Sequence, residues 1–216
     1  MIKLLEGKRA CLFDMDGTLI DSESIWQEAI RMALRKKGIL LSMEEVVRLE
    51  YGRAWNEIFD EIHSRWPEAY ATRLDMEAVT VPYYKRIAAS RDISIPGSVE
   101  VLRQLHELGY AIAIASGSTR ERIKDTIVTL KIEDCVSCYV GGEDYEQGKP
   151  APDCFLAAAA LLGVNASECV VFEDAEPGVQ AAKAADMACI ALDNGHGANL
   201  ASADFVARNL LDVMLN

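Results

Sequence analysis

Short apolar runs recur along the chain at Arg9–Phe13 (RACLF), Tyr110–Ala115 (YAIAIA), Cys138–Val140, Cys169–Phe172 (CVVF) and Ala188–Leu192 (ACIAL), each closing in polar or glycine-containing sequence. None alternates apolar with polar positions. Each therefore predicts a strand buried on both faces, as in a parallel sheet covered by helices. Between the runs the period changes to that of a helix. Val99, Leu102, Leu105 and Leu108 share a face before Gly109, a stop signal, and Ile123, Ile127 and Leu130 share another after Thr119. The alanine-rich segment Asp153–Leu162, ending at Gly163, and the segment Gly178–Ala185 read as two more helices. Strands alternating with helices in this way predict a doubly wound α/β fold around a parallel sheet.

The rhythm breaks between Ser22 and Arg91, where no strand pattern occurs. Ile25, Ala29, Ala33 and Leu34 make one helical face, and Ile58 and Ile62 suggest another. Val79, Tyr83 and Ile87 continue the pattern around Pro82, which predicts a helix opened or kinked at that point. A helical stretch of this size between the first and second strands predicts an inserted cap domain hinged at Leu19–Ser22 and Arg91–Gly97. The expected division is 1–20 with 94–216 for the α/β core and 21–93 for the helical cap.

Candidate chemistry stands at the strand ends. The first run delivers Asp14-Met15-Asp16-Gly17-Thr18-Leu19 at its carboxyl end, where open α/β sheets bind ligands. Two carboxylates so close repel each other, and a divalent cation relieves that; oxygen ligands with a phosphate substrate point to Mg²⁺. Asp14 could attack phosphorus while Asp16 handles the leaving-group proton. An Asx turn capping the next element suits the same residues. The second run is followed by Ser116-Gly117-Ser118-Thr119, a hydroxyl and backbone N–H groups suited to phosphate oxygens and equally to an N-cap. Gly148-Lys149-Pro150-Ala151-Pro152-Asp153 follows the third run, with two prolines stiffening the backbone around an ammonium that could neutralise Asp14 and a phosphate. A lone loop lysine is otherwise solvated surface. Glu173-Asp174 follows the fourth run, able to complete a metal's ligands or simply to open the next helix.

Four motifs at four strand ends, in this order, are far more specific than any one of them. With DMDGTLIDSE, GKPAPDCFL and VVFEDAEPGVQAAKAA, the chain resembles the haloacid dehalogenase-like (HAD) hydrolases, in the branch holding β-phosphoglucomutase and the sugar-phosphate phosphatases. The resemblance covers nearly the whole chain. It implies Asp14 as nucleophile and Mg²⁺ ligand, and Asp16 as general acid/base with its backbone carbonyl on the metal. It also implies Ser116 (with Gly117) and Lys149 as phosphate binders, and Asp174, supported by Glu173, as the distal metal ligand. The expected function is a Mg²⁺-dependent phosphatase of small phosphorylated metabolites, sugar phosphates first, working through an aspartyl-phosphate.

Two alternatives remain beside it: a β-phosphoglucomutase-type phosphomutase, and a non-catalytic phosphate-binding module. The mutases resembled here carry a histidine twelve residues after the nucleophile, where this chain has Trp26. Arg53, in the segment Tyr51-Gly52-Arg53-Ala54-Trp55, is a candidate for their substrate-binding cap arginine, with Trp26, Tyr51 and Trp55 as further candidates for substrate selection.

Composition narrows the partners. Of 216 residues, 22 are Lys or Arg and 34 Asp or Glu, for a net charge of −12. So acidic a chain repels nucleic acid and anionic membranes at long range. No obligate protein partner is implied. The opening stretch has too short an apolar run for a signal peptide and no small-residue cleavage site, and no run approaches the length of a membrane span. The six cysteines mostly sit in apolar runs, as reduced core cysteines do, and Cys135–Cys138 is a CxxC without a second pair. A cytoplasmic enzyme is the expected setting.

Overall fold

The computed structural model describes residues 3–50, 53, 55–195 and 197–215, so Tyr51, Gly52, Ala54 and His196 lie outside the described residues. The chain forms two compact units, residues 1–21 with 93–216 and residues 22–92. Helices α1 (Ser22–Lys36), α2 (Met43–Glu50), α3 (Trp55–Arg65) and α4 (Arg73–Ala88) belong to the second unit. Helices α5 (Ser98–Glu107), α6 (Arg120–Leu130), α7 (Asp153–Leu162), α8 (Glu176–Ala184) and α9 (Asp212–Leu215) belong to the first.

The first unit holds one sheet of strands β1 (Ala10–Phe13), β2 (Ala111–Ala115), β3 (Val136–Val140), β4 (Cys169–Glu173), β5 (Ala188–Leu192) and β6 (Phe205–Ala207). Their order is β3-β2-β1-β4-β5-β6, with every neighbouring pair parallel. This is the doubly wound α/β architecture read from the hydrophobic pattern. Every residue of β1 and β4 is buried, which is why their sequences are apolar without alternation. Phe13 and Phe172 are in register on β1 and β4 and stack with ring centroids 4.3 Å apart. One face of the sheet is closed by small side chains. Ala158 and Ala159 of α7 and Ala181 and Ala182 of α8 join Ala113, Ala115 and Val171 in one core. Alanine there lets helix and sheet approach closely.

Three elements differ from expectation. Strand β3 begins at Val136, two residues before the apolar run, because Ser137 is exposed on the sheet's edge strand and breaks the pattern. Strand β6 is a short edge strand with Val206 exposed, too brief to show a period. Pro82 neither opens α4 nor ends it. The helix starts nine residues earlier, at Arg73, where Thr72 and Asp75 form a reciprocal capping box, and runs through the proline to Ala88. Burial of Met76, Thr80, Tyr84 and Ile87 along one stripe offsets the backbone bond that Pro82 cannot donate.

The helical unit has its own core of Ile30, Leu34, Val46, Leu49, Ile58, Ile62, Tyr70 and Met76. Beside it Trp26 stacks on Tyr84 (4.2 Å) and meets Trp55 at 5.1 Å. All six cysteines are free thiols. Burial pushes the Cys138 thiol up, away from the range in which a thiolate reacts. Among the described residues no helix is long and apolar enough to cross a membrane.

Candidate active site

Loops leaving β1, β2 and β4 come together in the first unit where the strand order reverses about β1, the place at which open α/β sheets hold ligands. Asp14 follows β1 directly, and its N–H donates to the Phe172 carbonyl of β4 at 2.9 Å. The next turn requires glycine. Gly17 has φ +91°, and a Cβ there would stand 2.2 Å from Asp174 Oδ2. So close an approach lets the buried Thr18 hydroxyl donate to Asp174 Oδ1 at 2.9 Å, while Asn194 Nδ2 donates to Oδ2 at 3.0 Å.

Lys149 is held between two carboxylates. Its Nζ lies 2.5 Å from Asp14 Oδ1 and 2.7 Å from Glu173 Oε1, above the Phe155 ring. Glu173 is 1% exposed, and its Oε2 accepts the N–H groups of Asp174 and Ala175, both at 2.7 Å. Gly178 leaves room for it, since a Cβ there would lie 1.7 Å from Oε1. Burial alone would push the Lys149 ammonium down, but Asp14 and Glu173 outweigh it and hold the group charged, above its ordinary range. Burial pushes Asp14 up, Lys149 pulls it back, and Glu173 and Asp174 add to the rise. Asp174 is pushed up to about 7, by burial first and then by Glu173.

Asp16 faces a third group of donors. Its Oδ1 accepts from Arg122 Nη2 at 2.6 Å. Its Oδ2 accepts from Ser118 Oγ at 2.8 Å and, at 3.4 Å, from Ser116 Oγ. Thr119 is the N-cap of α6, accepting from the Arg122 N–H, so Ser118 is free to point at Asp16. Gly117, between the two serines, presents an N–H with no acceptor among the described residues. Asp14, Asp16, Ser116, Gly117, Lys149, Glu173 and Asp174 are thus neighbours in one unit. Arg53 belongs to the other, where it is exposed and ion-paired with Glu61 at 3.5 Å.

A family model described as haloacid dehalogenase-like hydrolase matches residues 8–186. The chain belongs to this family. It is similar to the validoxylamine A 7′-phosphate phosphatase of Streptomyces hygroscopicus subsp. limoneus, 29% identical across 95% of each chain. It is also 29% identical to hexitol phosphatase B of Escherichia coli strain K12, across 84% of this chain and 82% of that one. A Thermotoga maritima crystal structure, described provisionally as a β-phosphoglucomutase, matches with a TM-score of 0.86 over 96% of this chain and 98% of its own. At 24% identity that likeness concerns the fold alone.

HAD-like hydrolases generally use Mg²⁺, and the donors present suit it. Among the described residues no three Asp, Glu, His or Cys side chains form a ready-made metal cage. Mg²⁺ does not need one, since it keeps several waters and takes one or two carboxylates with substrate phosphate. Asp14 and Asp174 could supply such carboxylates from two adjacent strand ends, with the Asp16 carbonyl as a third hard oxygen. Both Glu173 oxygens accept hydrogen bonds, Oε1 from Lys149 and Oε2 from two backbone N–H groups, so this carboxylate anchors the lysine.

Asn194 and Arg122 belong to none of the four sequence motifs, whereas Ser118 and Thr18 stand inside two of them without a role of their own. Arg122 left one signal. A cation in the first turn of a helix opposes the macrodipole, which is unfavourable unless something anionic receives it.

Proposed function

We propose that this hydrolase is a Mg²⁺-dependent phosphatase of small phosphorylated metabolites, sugar phosphates first, acting through an aspartyl-phosphate on Asp14. The observation that carries the reading is Lys149 fixed between Asp14 and Glu173, an ammonium pre-oriented where charge must be neutralised in phosphoryl transfer. An Asp14 oxygen attacks phosphorus as the bond to the leaving oxygen breaks. Asp16 gives that oxygen its proton and then takes one from the water that cleaves the aspartyl-phosphate. Ser116, Gly117 and Lys149 hold the phosphoryl oxygens. Mg²⁺, on Asp14, Asp174 and the Asp16 carbonyl, supplies further neutralisation of phosphoryl charge when bound. The names of the two phosphatase relatives support a phosphomonoester on a sugar-like or polyol framework.

Water as the acceptor is supported by Trp26. Its indole is packed on Tyr84 and Trp55, and an indole N–H cannot exchange protons as a gating histidine does. The helical unit is proposed as the cap that restricts substrates to compact ones, with Arg53 as a candidate substrate contact. The test follows glucose 1-phosphate and fructose phosphates for phosphate release and isomer formation in parallel. Inorganic phosphate is expected, with no bisphosphate activator required. Glucose 6-phosphate appearing ahead of phosphate would make the protein a mutase, and no turnover of any phosphomonoester with Mg²⁺ would leave a binding module.

The metal requirement has a pH signature. Asp174, at about 7 in the folded protein, holds its proton in a window where the unfolded chain, with an ordinary carboxyl near 3.8, has lost it. The folded state therefore binds the extra proton, and metal-free stability falls as pH rises through that window. Mg²⁺ competes with the same proton, so its apparent affinity should weaken roughly 15-fold from pH 7 to pH 5.5 for one competing proton. Thermal unfolding with and without Mg²⁺ should show the larger stabilisation at pH 8. Equal stabilisation at pH 5.5 and 8 would remove Asp174 from the ligand set.

A further inference from the structure

Arg122 has no part in the reading above, yet it makes the shortest contact to Asp16. We propose that Arg122 is a positioning residue for Asp16, fixing which carboxylate oxygen is presented for proton transfer. The proposal rests on the phosphatase reading, in which Asp16 moves the protons.

The three side chains form a closed ring. Arg122 Nη2 donates to Asp16 Oδ1 at 2.6 Å, Arg122 Nη1 donates to Ser118 Oγ at 2.8 Å, and Ser118 Oγ donates to Asp16 Oδ2 at 2.8 Å. Because the serine hydroxyl accepts from the guanidinium, its own proton is directed at Oδ2. The arginine's backbone is fixed in turn, since its N–H is held by Thr119 Oγ1 at the start of α6. With Nη2 on Oδ1 and Nη1 on the serine that holds Oδ2, the planar fork of the guanidinium sets the plane of that carboxylate as a single ammonium cannot. With Oδ1 turned to the guanidinium, Oδ2 is held on the side of Ser116, the expected phosphate binder, whose hydroxyl stands 3.4 Å from it. Proton transfer requires that oxygen within hydrogen-bond reach of the leaving group and then of the attacking water. A free carboxylate rotating about its bond would satisfy this only part of the time.

Stability does not account for the arrangement. The Arg122 and Asp16 side chains are 26% and 30% exposed, and ion pairs reached by solvent add little. The arginine also opposes the dipole of α6 from its first turn. A local rule broken in this way is what a functional site tolerates.

The test uses Arg122→Ala, Arg122→Lys and Ser118→Ala in the full chain with Mg²⁺. One substrate is a sugar phosphate that wild type turns over, and the other is p-nitrophenyl phosphate, whose leaving group departs without a proton. Arg122→Ala should lower kcat on the sugar phosphate by about 10²-fold with KM little changed, the scale of effect expected from misplacing a reacting group. On p-nitrophenyl phosphate the variant should release a rapid burst of nitrophenolate, about one equivalent per active site if only the second step is slowed. Slow turnover should follow, because hydrolysis of the aspartyl-phosphate still needs Asp16 as base. Arg122→Lys should recover part of kcat, since charge returns without the fork. Equal losses of burst and steady state would show a merely structural role, and a raised KM with intact kcat would make Arg122 a substrate contact. Either result overturns the assignment. Should Arg122→Ala fail to fold, Ser118→Ala and Arg122→Lys carry the same comparison. Wild-type protein without turnover sinks the phosphatase reading and this assignment together; wild-type turnover with a silent Arg122 sinks this assignment alone.

Discussion

Asp14→Asn is expected to bring phosphate release to background, a loss on the order of 10⁶-fold by comparison with other nucleophile deletions. An amide cannot attack phosphorus, and no other carboxylate is offered in its place. Asp174 is tied to Thr18 and Asn194, Glu173 to Lys149 and two N–H groups, and Asp16 to Arg122 and the serines. The fold should survive. Lys149 keeps Glu173 as partner, and asparagine relieves the burial that pushes Asp14 up. The measurement pairs steady-state phosphate release with acid-quenched mass spectrometry. Wild type should yield a phosphorylated peptide containing residue 14, and the variant none. Near-normal turnover in Asp14→Asn, with the variant folded, would end the aspartyl-phosphate reading.

Lys149→Met should be nearly as damaging to activity and should also destabilise the protein. The substitution keeps much of the side-chain volume over Phe155 but leaves Asp14 and Glu173 as buried carboxylates without their cation. Breaking a buried pair by removing one partner typically costs about 3–5 kcal/mol. For a chain of this size that is a fall of about 10 °C in Tm. The sign of the pH dependence follows from the carboxylates. With the ammonium gone nothing opposes the rise in Asp14, so the folded variant holds protons that the unfolded chain has released. Its stability should therefore fall as pH rises above the ordinary carboxylate range, and recover on acidification. Thermal melts at pH 8 and pH 5.5 check this. A variant as stable as wild type at pH 8 would mean that Lys149 does not compensate these charges.

Much of this protein is legible without coordinates because its chemistry is local to strand ends. The runs RACLF, YAIAIA, CVVF and ACIAL are apolar on both faces, and only a covered parallel sheet buries such strands. Open sheets then present whatever follows each strand at one edge. Asp14 and Asp174 could therefore be placed at the same edge, while a lysine between two prolines stood out from a plain loop. Less was visible where burial is one-sided or an element short. The edge strands β3 and β6 lack a continuous apolar run, and α4 passes through a proline that reads locally as a break.

The sequence by itself determined the architecture, the motifs and the acidic charge, because each is written in spacing and residue type. Partnership was decided by tertiary structure alone. The ordering of β1 beside β4 brings Asp174 against Gly17, where the missing side chain lets Thr18 reach it. The same packing commits Glu173 to Lys149, since a carboxylate buried beside Gly178 must find donors within reach and an ammonium and two N–H groups are the ones present. Arg122, 106 residues from Asp16 along the chain, becomes its neighbour only when α6 starts over the end of β1. Hydrogen bonds between residues so far apart follow from where the backbone runs, and no local pattern in the chain encodes them.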